Sequence, residues 1–122
     1  MVYSGVDIIE VERIDRAILR HGQRFFDRFY TPQELIDAGG RTPALAARFA
    51  AKEAVAKALG TGIGEVGWKD IEIRIGPNRE PYLQLYGNAD RLAKEMGLEM
   101  WSVSLSHTHY HAVAVAIAMQ KE

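Results

Sequence analysis

Asp7 and Glu53 are the two acidic residues with the most apolar surroundings in this sequence. Asp7 stands inside Val6-Asp7-Ile8-Ile9, and Glu53 lies within an alanine-rich segment. A buried carboxylate is costly unless it is hydrogen-bonded, paired with a cation or bound to a metal. If the first strand packs beside the alanine-rich helix, the two acids can share one Mg²⁺, which also binds water and phosphate oxygens. Alternatively, Asp7 pairs with an arginine or caps the helix that follows it.

The alanine-rich segment, which opens at Thr42-Pro43 and ends at Gly60, is predicted to be a long helix whose charges do not share one solvent face. At about 100° per residue, its alanines form one sector and its larger apolar residues another. Arg48 and Lys52 point out among the larger apolar residues, and Glu53 and Lys57 lie between the two sectors. Charges wedged between packed faces need partners such as a metal, a phosphate or a neighbouring subunit. The alternative is a well-packed helix whose Lys and Arg stems extend to solvent.

A glycine-rich loop, Gly60-Thr61-Gly62-Ile63-Gly64, follows Lys57 directly. Such a loop can bring backbone N–H groups close to a phosphate because no Cβ stands in the way. It is not a P-loop, since the lysine precedes the glycines. A simple turn at the end of the helix explains the same residues.

Three histidines alternate along the chain at His107, His109 and His111. On a continuous strand they would share one face, which raises a zinc site as one interpretation. The segment is predicted to be a turn between two strands, however, where alternation fails, and no carboxylate or thiolate lies nearby in sequence. The pattern favours a single histidine that binds a phosphate or donates a hydrogen bond.

A series of arginines is spaced for one helical stripe, provided that Gly22 does not break the helix. Its members are Arg13, Arg16, Arg20, Arg24 and Arg28. Nearby acidic residues keep the net charge of this stretch small, which is typical of a solvated surface. Phe25 and Phe26 beside the stripe support the alternative of a docking surface for an acidic partner helix.

Composition limits the classes of protein that are possible. The 122 residues are 48% hydrophobic and 25% charged, with a net charge of −1, which predicts one globular domain over residues 1–122 and no strongly electrostatic binding of nucleic acid or membrane. The sequence has no cysteine, so disulfides and thiolate chemistry are excluded. The N-terminus lacks a signal-peptide pattern and no apolar run reaches membrane-span length, so a cytoplasmic protein is expected.

Periodicity and turn residues predict an α+β fold, with a mostly antiparallel sheet packed on the long alanine-rich helix. The first strand, residues 2–9, is predicted to be buried. The helix that follows should turn Val11, Ile14, Ile18 and Leu19 inward. The remaining expected elements are a helix after a capping box at 31–34, the long helix, a hairpin over 70–85, a short helix over 88–96 and two strands over 100–106 and 112–119.

Taken together, three segments closely resemble the holo-(acyl-carrier-protein) synthase family, the small bacterial 4′-phosphopantetheinyl transferases. The segments are Gly5-Val6-Asp7-Ile8-Ile9-Glu10-Val11-Glu12-Arg13-Ile14, Arg48-Phe49-Ala50-Ala51-Lys52-Glu53-Ala54 continuing to Lys57-Ala58-Leu59-Gly60-Thr61-Gly62, and Ser104-Leu105-Ser106-His107-Thr108. Their order and separation fit the family over the whole chain.

The resemblance implies the 4′-phosphopantetheinyl transferase fold and Mg²⁺-dependent transfer of the phosphopantetheine of coenzyme A to a serine of apo acyl carrier protein, in support of fatty acid biosynthesis. It implies Asp7 and Glu53 as metal ligands, with Lys57 as a further catalytic residue. The implied coenzyme A contacts are Arg48, Lys52, Lys57, Gly60, Thr61, Gly62, Pro81 and His107. The implied carrier contacts are Arg13, Arg20, Arg24 and Phe25. It also implies a homotrimer with active sites between subunits.

Two departures from the family pattern affect these expectations, and one is that His109 and His111 are not family hallmarks and are assigned no role. The family often has Gly-Lys-Pro before the middle strand, where this chain has Arg79-Glu80-Pro81, so the contact at Pro81 is the least secure. The general base stays open between Glu53, Asp7 and a metal-bound water, with His107 less favoured. Two other functions are compatible with the residues: a non-catalytic module that binds coenzyme A or an acidic helix, and a metalloprotein that uses the histidines.

Overall fold

The computed structural model describes residues 1–62 and 64–121 and shows five strands and five α-helices in them; Ile63, within the predicted glycine-rich loop, lies outside the described residues. In chain order the elements are β1 (Val2–Glu10), α1 (Val11–His21), α2 (Gln23–Phe29), α3 (Pro32–Ala38), α4 (Thr42–Ala58), a short 3₁₀ helix (Trp68–Asp70), β2 (Ile71–Ile75), β3 (Pro81–Leu85), α5 (Gly87–Glu95), β4 (Leu98–His107) and β5 (His111–Gln120). The predicted α+β class is confirmed.

A three-stranded antiparallel sheet in the order β1-β5-β4 carries helix α4 on one face. Strand β5, which looks continuously apolar in the sequence, alternates small and large residues. Its inward residues, Ala112, Ala114, Ala116 and Ala118, are at most 1% exposed. Alanines on both the strand and the helix let the two backbones approach closely, which sets the position of every α4 side chain relative to the sheet.

Gly5 marks the point of closest approach between β1 and α4. A Cβ built on Gly5 would overlap the backbone carbonyl of Ala54. Ala50, Ala51 and Ala54 on the facing side of the helix are completely buried. Asp7 lies two residues after Gly5 and therefore on the same face of the strand. Because β1 lies this close to α4, the Asp7 side chain is held against the helix.

A second, two-stranded antiparallel sheet pairs β2 with β3, as predicted for the hairpin. Arg79 in the connecting turn has a φ of 62°. This left-handed conformation favours glycine, the residue that the resembled family often has at this point. The departure from the family pattern therefore falls on the one turn residue whose backbone conformation would suit glycine better.

Two predictions about burial are wrong. Strand β1 is an edge strand with one covered face, so Val2, Val6 and Ile8 are 56–66% exposed rather than buried. Leu19 is 86% exposed, because the inner face of α1 is filled by Val11 and Ile14 and only partly by Ile18.

Gly22 does break the helix that would have carried the arginine series. Its φ of 56° and ψ of −133° end α1 and start a separate helix, α2, which the sequence pattern does not predict.

The capping box at the start of α3 is confirmed, since Thr31 accepts a hydrogen bond from the Glu34 N–H and Glu34 accepts one from the Thr31 N–H. Among the described residues, no helix has the length and apolarity needed to cross a bilayer.

Candidate active site

A cleft of about 780 Å³ lies between β1, α4 and the segment that leads into β2. Its walls combine carboxylates, arginines and aromatic rings. The lining residues are Asp7, Ile8, Ile9, Arg13, Arg28, Phe29, Phe49, Glu53, Gly64, Val66, Gly67 and Trp68. The cleft therefore brings together the two acids that the sequence singled out, 46 positions apart in the chain.

Asp7 reaches this cleft because it lies on the helix-facing side of β1, in register with the buried Ala114 of β5. Its side chain is 19% exposed, and its Oδ1 lies 3.0 Å from Lys57 Nζ. The same ammonium group donates a 2.8 Å hydrogen bond to the Val6 carbonyl. Asp7 thus pairs with a lysine of α4 and not with an arginine. It does not cap the next helix either, because the N-cap residue of α1 is Glu10, which makes no side-chain cap hydrogen bond.

Glu53, on α4, faces the same cleft and is partly buried. Burial raises the pKa of this carboxyl, and the negative charge of Asp7 raises it further; Lys57 and Arg13 act in the opposite direction. Ionised Glu53 in this cleft is therefore disfavoured first by the loss of water around it and then by the neighbouring Asp7 carboxylate.

A hard divalent cation fits this donor set. Among the described residues no group of three or more histidine or carboxylate side chains is arranged to hold a metal, so the chain offers two carboxylates and no complete cage. Two carboxylates, with the remaining positions left to water and substrate oxygens, are what Mg²⁺ usually takes and what Zn²⁺ does not. Asp7 and Glu53 would be its protein ligands.

We expect Glu53→Gln to raise the melting temperature of the metal-free protein at neutral pH. A raised carboxyl pKa means that folding disfavours the ionised form, so the cost to stability is present above the folded-state pKa and disappears as the pH falls below the ordinary value near 4.5. The gain from the substitution should therefore vanish at about pH 4. Thermal unfolding at neutral pH and at about pH 4, with EDTA present, measures the gain in melting temperature. Glu99→Gln, an exposed site, is the control. An equal gain at both pH values would contradict this origin.

Lys52 cannot contact coenzyme A, which corrects the prediction made from the resemblance. Its side chain is completely buried, with Nζ 2.7 Å from Glu34 Oε1 and 2.9 Å from the Trp68 carbonyl oxygen, and it also donates to the Ile71 carbonyl. Burial lowers the pKa of Lys52, while the Glu34 carboxylate raises it. The lysine therefore joins α4 to α3 and to the segment before β2.

Arg48 is also buried, with 7% of its surface exposed. Its Nη1 donates a 3.1 Å hydrogen bond to the Ala44 carbonyl of its own helix, and its Nε has no hydrogen-bond partner. Burial lowers the pKa of this guanidinium. It does not line the cleft, so within one chain the predicted contact between Arg48 and the coenzyme A phosphates is not available.

Five further residues of the predicted coenzyme A set lie away from the cleft. Gly60 and Thr61 follow α4, with the Thr61 N–H bonded to the Ala56 carbonyl at 3.1 Å. Pro81 begins β3, and His107 ends β4, exposed and opposite Ala112 of β5. Gly62, the last member of the set, is exposed in the same loop as Gly60. None of these residues is brought to Asp7 and Glu53 by the chain alone.

The histidine series is interrupted as predicted. Strand β4 ends at His107 and β5 begins at His111, so the three rings do not share a strand face. His109 lies in the turn with its ring 5.0 Å from that of Tyr110.

Helices α1 and α2 together form basic concavities next to the cleft. One is lined by Arg13, Arg16, Ala17, Arg20 and His21, and the other by Ala17, His21, Arg24, Phe25, Arg28 and Phe29. Arg13 and Arg28 also line the carboxylate cleft, so the basic surface runs into it. The arginines thus converge although Gly22 separates their helices.

Phe25 contributes little of its own surface to this basic region. It is 5% exposed, and its ring packs against Phe26, Phe29 and Tyr30 at centroid distances of 4.9–6.1 Å. Phe25 lines the second concavity with only a small part of its surface, and its contact with a partner stays a prediction.

Sequence reasoning missed two features of the region. A second buried carboxylate, Glu72, accepts hydrogen bonds from Thr31 Oγ1 at 2.6 Å and from the Tyr86 hydroxyl at 2.9 Å. Three rings also meet at one side of the cleft: Phe29, Phe49 and Trp68. Neither could be found from spacing, because their members come from separate parts of the chain.

Comparison with known proteins places this fold and cleft in a class. The chain belongs to the 4′-phosphopantetheinyl transferase superfamily, whose family model matches residues 4–118. Within that class its relatives are holo-[acyl-carrier-protein] synthases. The one from Herpetosiphon aurantiacus is 44% identical over 115 residues, which cover 88% of this chain and 91% of the relative.

Solved structures agree with the sequence comparison. Holo-[acyl-carrier-protein] synthase from Neisseria meningitidis is 36% identical with a TM-score of 0.90, covering 98% of this chain and 100% of that one. The Helicobacter pylori enzyme, in complex with coenzyme A, is 32% identical with a TM-score of 0.87 over the same shares. The resemblance predicted from three motifs is confirmed.

Proposed function

We propose that this protein transfers the 4′-phosphopantetheine of coenzyme A to a serine hydroxyl of an apo acyl carrier protein and releases adenosine 3′,5′-bisphosphate. The observation that carries the proposal is the cleft in which Asp7 and Glu53 meet beside a basic surface. The relatives are named for this reaction, and the Helicobacter pylori structure contains coenzyme A.

In the transfer, the serine oxygen bonds to the phosphorus that carries the pantetheine, and the bond from that phosphorus to the bridging oxygen of the pyrophosphate breaks. The serine loses its proton, and the leaving group carries the electron pair away as a phosphate oxygen. Because the nucleophile belongs to the carrier, this chain needs to position the two substrates and stabilise charge. Lys57, which pairs with Asp7 and is half exposed, would neutralise a phosphate oxygen bound next to this carboxylate.

Mg²⁺, when bound by Asp7 and Glu53, would supply Lewis-acid stabilisation of the pyrophosphate charge. Both carboxylates line the cleft, so the proton acceptor stays open between Glu53, Asp7 and a metal-bound water. His107 is outside the cleft, so its position in the chain does not favour it as the base.

Arg13, Arg20 and Arg24 would bind the acidic recognition helix of the carrier. They line the two basic concavities that adjoin the cleft, and Arg16 and Arg28 lie in the same concavities. Charge of this kind acts mainly on the rate of encounter and on orientation, and it weakens as ionic strength rises.

We further propose that the active protein is a homotrimer. The outer face of the β1-β5-β4 sheet carries an exposed apolar patch along β1 and β5, beside the outward serines of β4 (Ser102, Ser104 and Ser106). The large apolar residues of the patch are Val2, Val6, Ile8, Met100, Val115, Ile117 and Met119. A contiguous patch of this kind is typical of a subunit interface. A neighbouring copy would also explain how His107, Thr61 and Pro81 come to serve a cleft that their own chain does not bring them to.

We expect the wild-type protein to sediment at three times the mass of one chain, and Ile117→Glu to sediment as a smaller species with little transfer activity. A charge on the apolar face would remain unpaired in the interface and oppose association. Leu19→Glu, at an exposed apolar site on α1 (86% exposed, against 41% for Ile117), is the control and should remain trimeric. Sedimentation equilibrium measures the mass of each variant in solution. A trimer formed by the Ile117→Glu variant would contradict the proposed subunit interface.

The reaction itself is tested by following the release of adenosine 3′,5′-bisphosphate with and without an apo carrier. Release that requires both the carrier serine and a divalent cation supports the transferase. Tight binding of coenzyme A without release would instead favour the non-catalytic binding module. A cytoplasmic location and a role in fatty acid biosynthesis stay predictions.

A further inference from the structure

Helix α4 carries two lysines whose ammonium groups are held in different ways. Lys52 is completely buried and donates to three oxygen atoms, so its position is fixed by the fold. The Lys57 side chain is 52% exposed and donates to two oxygen atoms, Asp7 Oδ1 at 3.0 Å and the Val6 carbonyl oxygen at 2.8 Å. An exposed lysine on its flexible stem can change partner at little cost, whereas the buried lysine cannot.

The carboxylate that Lys57 holds is one of the two proposed metal ligands. Glu53, the other ligand, stands one helical turn before Lys57, so the ammonium lies on the side of α4 that carries it. An ammonium paired with Asp7 partly cancels the negative charge that an approaching divalent cation meets. Lys57 and a metal ion therefore compete for Asp7, because two cations at one carboxylate repel each other.

We propose that Lys57 exchanges partners when the donor and the metal bind. In the protein without ligands its ammonium is the counter-ion of Asp7 and opposes a divalent cation at this carboxylate. Lys57 then turns from Asp7 to a phosphate oxygen of the donor once a divalent cation has taken its place. The inference rests on the proposed function, in which the donor is coenzyme A with its pyrophosphate.

The exchange makes the two binding events depend on each other. A metal site that holds its own counter-ion binds a divalent cation weakly when the donor is absent. A cation at Asp7 releases an ammonium for the donor phosphate, so each ligand raises the affinity for the other by the same factor. If Lys57 and the metal instead neutralised one phosphate in parallel, loss of the lysine would make donor binding depend more strongly on the metal.

Mn²⁺ is the probe for the competition at Asp7, because electron paramagnetic resonance follows its binding directly. We expect Lys57→Met to bind Mn²⁺ about tenfold more tightly than the wild-type protein in the absence of coenzyme A, a factor in the range typical of linked sites. Arg13→Met removes a positive charge from the same cleft but leaves the pair of Lys57 and Asp7 in place, so it should change the affinity much less. Lys94→Met, which breaks an exposed ion pair on α5, should leave the affinity unchanged.

Coenzyme A binding to the same variant tests the dependence of one ligand on the other. Mn²⁺ should raise the affinity for coenzyme A by a larger factor in the wild-type protein than in Lys57→Met, because only the wild-type protein has an ammonium to release. A larger factor in Lys57→Met would overturn the inference in favour of parallel neutralisation. Weaker binding of Mn²⁺ by Lys57→Met, or an equal gain in Arg13→Met, would also overturn it.

A measurement on the wild-type protein does not depend on how the variants fold. Carbon-13 relaxation at Lys57 Cε should show a side chain that becomes more mobile with saturating Mg²⁺ alone and more restricted when coenzyme A follows. No gain in mobility with Mg²⁺ alone would contradict the exchange. Neither measurement requires turnover, so a protein that shows both effects but forms no holo carrier would support the exchange and remove only the proposed transfer.

Discussion

We expect Asp7→Asn and Glu53→Gln each to lower the transfer rate by roughly 100- to 1,000-fold, the range typical of removing one preorganised electrostatic contact from an active site. Each amide keeps the size of the carboxylate but loses the charge that a divalent cation and the pyrophosphate require. Steady-state release of adenosine 3′,5′-bisphosphate at saturating Mg²⁺ measures the loss. We expect Mg²⁺ to raise the melting temperature of the wild-type protein and to leave that of Glu53→Gln nearly unchanged.

Glu99→Gln is the matched control for these variants. Glu99 lies on β4, 58% exposed and 3.6 Å from Lys121, so its amide form should keep normal turnover. If either cleft variant turned over at the wild-type rate, the two carboxylates would not be the metal ligands. If the variants were inactive because they failed to fold, their unfolding temperatures would fall, whereas the account predicts a rise for Glu53→Gln at neutral pH.

Lys52→Ala should destabilise the fold by about 3–5 kcal/mol, the usual cost of leaving one member of a buried ion pair without its partner. Both side chains of the pair are completely buried. Glu34 would keep its hydrogen bonds from the Thr31 and Ile73 N–H groups but lose the ammonium group that is hydrogen-bonded to it. Urea unfolding followed by circular dichroism measures the change in the free energy of unfolding.

Lys94→Ala provides the comparison for Lys52→Ala. Lys94 pairs with Asp90 at 2.9 Å on the surface of α5, and removal of such an exposed pair costs at most about 1 kcal/mol. The double variant Lys52→Met with Glu34→Gln should recover part of the lost stability, since neither buried group is then charged. If Lys52→Ala lowered the free energy of unfolding as little as Lys94→Ala does, Lys52 would not be the structural partner of Glu34.

The carboxylate site could be predicted from the sequence because its signal is local. An acid inside a β-branched run and an acid inside an alanine-rich helix are both conspicuous at their own positions. Their meeting follows once β1 and α4 pack together, as the small residues Gly5 and Ala54 allow. The family motifs strengthened this prediction because they contain both acids.

The role of Lys52 could not be predicted in the same way. Its partner Glu34 stands 18 positions earlier, in a capping box that already accounted for that carboxylate. Spacing along α4 shows that a lysine points among packed side chains, but it does not show which element supplies the opposite charge. The motif alone therefore favoured a phosphate contact, and the structure replaces it with an ion pair.

The three rings at one side of the cleft and the uncovered sheet face were missed for a related reason. Phe29, Phe49 and Trp68 come from three segments, and they meet only when α2, α4 and the short 3₁₀ helix assemble. Strand β1 is apolar on both faces, which in a sequence looks like a buried strand. An edge strand that another subunit covers has the same pattern, so the outer residues Val6 and Ile8 were predicted to be buried within the chain.

The measurement that tests the central claim most directly is intact-mass spectrometry of an apo acyl carrier protein incubated with this protein, coenzyme A and Mg²⁺. The account predicts that the carrier gains the mass of one phosphopantetheine, that EDTA prevents the gain, and that a carrier with its serine replaced by alanine gains nothing. An unchanged mass with several cognate carriers and a folded, coenzyme A-binding protein would contradict the transferase function.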